Sequence, residues 1–183
     1  MSDGLFYNDL REPFVTVAPA AVTLAATAKA LYTTSQFPVL GGNYFARVGK
    51  KLRIRLYGQI TTALTPGNGS FNVYYGTGAD ANGVAIMTGT PVALTASQTN
   101  LSWTLDIVVT CRTTGNTGTL FCTGMAKLNE AVYSPMMMLP ASAPVASGSC
   151  DLTAANIISV QFLRSGSTAE TMQVLDMEVI ALN

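Results

Sequence analysis

Histidine is absent from this chain, and only 11% of its 183 residues are charged. Soluble domains average about 25% charged residues, so the usual complement is more than halved. Each shortage excludes chemistry. Without histidine there is no His-ligated metal centre and no Ser–His or Cys–His nucleophile pair. Ten Lys+Arg balance ten Asp+Glu, so the basic excess that drives nucleic-acid binding is missing. A neutral, charge-poor surface favours association, and the chain is expected to pack against copies of itself or another protein. Long apolar runs are scarce as well. Residues 14–32 are interrupted by Pro19, several threonines and Lys29, short of the roughly 20 apolar residues of a spanning helix. Asp3, Asp9 and Glu12 at the start are the opposite of a basic leader segment, so neither a membrane span nor a secretory leader is expected.

The three cysteines, Cys111, Cys122 and Cys150, are an odd number without CxxC spacing. They are expected to be reduced, buried thiols of a protein made in a reducing cytosol. The length suits one domain, burying roughly 70% of the surface of its extended chain.

What the chain does have is alternation, the mark of half-buried strands. In residues 50–64, Leu52, Ile54, Leu56, Gly58 and Ile60 share one face, with Lys51, Arg53, Arg55, Tyr57 and Gln59 opposite. In residues 101–111, Leu101, Trp103, Leu105, Ile107, Val109 and Cys111 face one way. The run TTGNTG after Cys111 reads as a hairpin turn, and the strand returns over residues 119–129. Cys111 and Cys122 then face inward on paired strands, directly opposite only if the loop is residues 115–118; a redox pair there is the alternative to plain core thiols. Further strands are expected around Phe71–Tyr75, over 84–88, 91–95 and 156–164, and over 171–182. In the last, Leu175, Met177, Val179 and Ala181 face inward, Asp176 and Glu178 face outward, and a β-bulge falls near Val174–Leu175. Residues 18–31 are alanine-rich, but Val22, Thr23 and Thr27 weigh against a helix.

The expected fold is all-β: an antiparallel β-sandwich, an eight-stranded jelly roll, with an extended N-terminal arm. The arm is residues 1–20 and the single sandwich domain residues 21–183. Two segments stand outside the core pattern. One is the arm, with Phe6, Tyr7, Phe14 and Val15. The other is residues 133–149, where Tyr133 precedes three consecutive methionines, Met136, Met137 and Met138, among three prolines. A methionine run is adaptable apolar surface. It suits either an interface between subunits or a loop that plugs one end of the core.

No pattern of residues supports catalysis. Asp176 and Glu178 share a strand face, but like pairs two apart are ordinarily solvated. The run Gly76-Thr-Gly-Ala-Asp80-Ala-Asn82-Gly83 resembles part of a calcium loop yet lacks further acidic ligands, so a polar turn is expected. Arg47, Lys50, Lys51, Arg53 and Arg55, interleaved with Tyr44, Phe45 and Tyr57, would serve as a stacking platform for a nucleic acid. With zero net charge they read better as a strand face whose cations meet Asp176 and Glu178, or an acidic partner. Trp103, on the inward face, reads as core rather than as a sugar platform.

Several segments, GKKLRIRLYGQITT, FNVYYGTGADANG, LTASQTNLSWTLDIVVTCRTTG, GTLFCTGMAKLN, LTAANIISVQ and SGSTAETMQVLDMEVIALN, resemble virion structural proteins of tailed bacteriophages over roughly residues 20–183. The resemblance implies a non-enzymatic decoration or cement protein, a homotrimer on the outer capsid surface whose partners are the major capsid protein or other virion proteins. Such a protein would be made in the host cytoplasm and reside in the virion, with no cofactor, metal, nucleic acid or membrane among its partners. The alternative is a carbohydrate- or receptor-binding sandwich of a phage fibre or tail. The residues expected to carry attachment are Phe6, Tyr7, Phe14, Val15, Tyr133, Met136, Met137 and Met138.

Overall fold

Alternating apolar residues can bury one face of a strand only if a second sheet covers it, and that pairing organises this molecule. The computed structural model describes residues 19–33, 36–37, 39–80, 82–128, 136–140, 145–166 and 169–182. Its strands are β1 (Val22–Thr23), β2 (Lys29–Ala30), β3 (Lys51–Thr61), β4 (Asn68–Gly76), β5 (Val84–Thr88), β6 (Val92–Ala93), β7 (Leu101–Thr113), β8 (Thr119–Leu128), β9 (Met136–Leu139), β10 (Ile157–Arg164) and β11 (Thr171–Ala181). No helix occurs among the described residues. The alanine-rich stretch forms β1 and β2, as its β-branched residues favour.

All strand pairings are antiparallel. A six-stranded sheet runs β1-β11-β3-β7-β8-β9, and a five-stranded sheet runs β2-β10-β4-β5 with β6 also on β4. The two pack in a sandwich-like arrangement. Eleven strands occur among the described residues, where alternation gives eight. The three additions are β1 and β2, each two residues long, and β9, whose uniform methionines show no alternation.

Between the sheets lies one apolar core. Leu52, Ile54, Leu56 and Ile60 of β3 and Trp103, Leu105, Ile107 and Val109 of β7 are fully buried. They meet Phe71, Val73, Val160 and Phe162 of the opposite sheet in one cluster. Trp103 and Phe71 lie 5.4 Å apart between ring centroids, and Phe71 meets Phe162 edge-on at 4.9 Å. Two glycines make room for these rings. A Cβ on Gly58 would stand 2.5 Å from the Trp103 ring and 2.1 Å from the Gln173 carbonyl oxygen, and one on Gly69 would stand 2.4 Å from the Phe162 ring.

The hairpin turn has Gly115 at φ 93°, the conformation glycine tolerates. Register pairs Cys111 with Leu120 and Val109 with Cys122, so the two thiols are offset rather than opposite. All three cysteines are free and buried.

The C-terminal strand carries the expected bulge, between Val174 and Asp176. One expectation is corrected there. Leu175 does not face inward; it is the extra residue of the bulge, unpaired and 48% exposed, while Val174 takes the core position. A buried ion pair, Arg164 Nε to Glu170 Oε2 at 2.7 Å, sits where the N-terminal segment meets these strands. Arg164 Nη2 also donates to the Leu24 carbonyl at 3.3 Å, which fixes the stretch following Pro19.

Gly58→Ala should therefore destabilise the sandwich by about 1–3 kcal/mol in urea unfolding, the range for overpacking a tight core. A variant as stable as the wild type would show that the glycine slot is not needed.

Candidate functional site

The face of the six-stranded sheet turned away from the core is built by the residues that alternate with the core set. Cross-strand register lays Met138 of β9, Met125 of β8, Asp106 of β7, Arg55 of β3 and Glu178 of β11 in one row. The neighbouring row is Met136, Lys127, Thr104, Tyr57 and Asp176. One half of the face is an ion-pair network, and the other carries the exposed methionines beside Lys127.

In the charged half, Asp106 accepts hydrogen bonds from Arg53 Nε at 2.8 Å and from Arg55 Nε at 3.2 Å, with a second, shorter contact from Arg53 Nη2. Arg55 Nη1 reaches Glu178 Oε2 at 3.2 Å. The cations of β3 thus meet Glu178 as expected, but their central partner is Asp106 rather than Asp176. Hydrogen bonds from the Arg53 guanidinium hold the Asp106 carboxyl below its usual pKa against the opposing effect of burial. Two of the three aromatic residues of the basic cluster are already engaged, while Tyr57 stands 45% exposed on the sheet face. Lys50 Nζ lies 4.5 Å over the Tyr44 ring, and Tyr44 packs edge-on against the buried Phe45 at 4.9 Å.

In the other half, strand alternation divides the methionine run. Met136 and Met138 point outward, 61% and 68% exposed, beside Met125 at 43%. Met137 packs against the core and Leu139 is buried. Alternate positions of the run thus divide between core and surface, and the run is a strand of the sheet rather than a loop. Phe6, Tyr7, Phe14, Val15 and Tyr133 lie outside the described residues. Met125 was not among the expected site residues. Its position opposite Met138 depends on pairing between β8 and β9, which spacing alone does not supply.

The remaining polar features have structural tasks. Asp80 accepts Lys29 Nζ at 2.6 Å and the Ala30 N–H at 2.8 Å, pinning β2. Burial raises its pKa, and these two donors outweigh that and set it below the ordinary value. No cluster of three metal-ligating side chains occurs among the described residues. Beyond β2, Ser159 and Gln161 of β10 donate to the carbonyls of Gly78 and Ala79 at 3.3 and 3.0 Å, so the loop after β4 covers that face of the strand.

A groove of about 580 Å³ runs beside this loop, lined by Pro19, Ala20, Val22, Tyr32, Gln36 and Asp80. Its polar groups are engaged internally: the Tyr32 hydroxyl donates to the Ile158 carbonyl at 3.0 Å and accepts from the Val160 N–H at 2.8 Å. Burial pushes all three thiols above their ordinary pKa, which disfavours the thiolate. No described helix is long and apolar enough to cross a membrane.

Comparison of the chain with protein-family models, curated proteins and solved structures finds no match.

Asp106→Asn should lower stability near neutral pH by about 0.5–1 kcal/mol, because Arg53 and Arg55 lose their shared carboxylate. A lowered folded-state pKa contributes stability that is complete above the ordinary carboxylate range and is lost as pH falls through the lowered value. The gap between wild type and variant in urea unfolding should accordingly close as pH falls below the ordinary carboxylate range. A gap independent of pH would contradict this role.

Proposed function

We propose that this chain is a non-enzymatic virion structural protein of a tailed bacteriophage, a jelly roll that binds the outer capsid surface as a homotrimer and stabilises it. The observation that carries the reading is the exposed Met125, Met136 and Met138 cluster on a firmly packed sheet. An apolar patch at the end of a rigid sandwich is a feature of attachment sites, and methionine adapts to an irregular partner surface.

The strand order supports the jelly-roll part. Eight strands nest as pairs, β1 with β11, β2 with β10, β3 with β7 and β4 with β5. The nest is then rolled so that β11 meets β3 and β10 meets β4. This is the winding of a long antiparallel hairpin into two sheets, a plan that recurs in capsid and lectin domains. The β8–β9 hairpin is an addition that widens one sheet beyond β7 and carries the methionines. The resemblance of residues 20–183 to phage virion proteins supports the setting.

A cement protein works by mass action: it binds the assembled shell better than dissociated subunits and so favours assembly. Three copies on one axis add avidity even where each contact is weak. Met136→Ser with Met138→Ser, leaving the core-facing Met137 unchanged, should reduce occupancy on capsids stripped of the protein. Deletion of residues 1–18 should do the same. Both exposed methionines can change within about 0.5 kcal/mol of stability, so circular dichroism should show an intact sandwich. Unchanged occupancy after both changes would overturn the proposal.

A further inference from the structure

The six-stranded sheet ends in two unlike edges. At one lies β1, reached directly from Pro19; at the other lies β9, which among the described residues pairs with β8 alone. Natural edge strands are protected by lysine, proline, inward charges or bulges. Within Met136–Leu139 there is none of these; Pro135 and Pro140 stand immediately outside it. The edge therefore offers backbone donors and acceptors next to an adaptable apolar patch, which suits an added strand.

The chain itself carries a segment of matching character. Phe14-Val15-Thr16-Val17 is uncharged, four residues long like β9, and made of residues that favour strands. Around it, residues 1–18 hold three carboxylates, Asp3, Asp9 and Glu12, against the single Arg11. Lys127 stands exposed beside Met136 as a cation of complementary charge.

Geometry decides which copy supplies the segment. From β1 to a strand added outside β9 is six strand spacings in the sheet order, about 29 Å. Val17 is only five residues from Val22, a reach of about 17 Å when fully extended. The segment of the same chain falls short of that edge. We propose that residues 14–17 of one copy add as a strand to β9 of a second copy, covering Met136 and Met138. The contact is heterologous, edge to opposite edge, and closes into a ring when the rotation between copies allows it. It stands on chain length and sheet order and does not require the virion reading.

The test mixes two singly substituted proteins, Val15→Cys and Met138→Cys, and adds a short bis-maleimide. The wild type serves as control, because its own three thiols are buried. The expected result is a cross-linked dimer in the mixture, well above either variant alone. Adding Met136→Lys to both proteins should raise the concentration needed for half-maximal cross-linking at least about tenfold. Met136 is exposed, so folding is retained, as circular dichroism should verify. Two results would overturn the proposal: no dimer in the mixture, or a dimer no more abundant in the mixture than in either variant alone.

Discussion

Everything in this sandwich depends on one aromatic contact between the sheets. Trp103 from the six-stranded sheet meets Phe71 of the opposite sheet, and Phe71 in turn meets Phe162. Rings of this size fit between close-packed sheets only where the neighbouring strand gives way. Here Gly58 and Gly69 give way, one in each sheet. The contact fixes which residues of β3, β7, β4 and β10 face inward. Strand register then follows, because a slip by one position would turn every buried side chain to solvent.

The outward positions are the consequence. Once Leu105 and Ile107 are committed to the core, Asp106 must project from the other side of β7, where register brings it to Arg53 and Arg55. The same alternation sends Met125 outward from β8 and Met138 outward from β9. The apolar patch is therefore a by-product of strand geometry held in place by the core. Attachment through such a surface needs little ordering of the sheet on binding, which lowers the entropic cost of each contact.

Much of this is legible in the sequence. Alternation in residues 50–64 and 101–111 places two long strands and their inward faces, Trp103 included, and the phase slip near Val174 marks the bulge. What fails is what alternation cannot carry. Leu175 looks inward by spacing, yet a bulge residue leaves the ladder and faces solvent. Three like methionines hide their own period, so β9 and the division between Met137 and its neighbours emerge only from pairing with β8. The choice of Asp106 over Asp176 as partner of the arginines is likewise a matter of register between strands far apart in sequence. Strands of two residues, such as β1 and β2, are too short to carry any period.

The central claim is that this fold works as an assembled attachment protein and not as a solitary domain. Light scattering of the wild-type protein after size exclusion, at micromolar concentration, tests it most directly. The account predicts a mass of three chains. A single-chain mass that persists on concentration would contradict it.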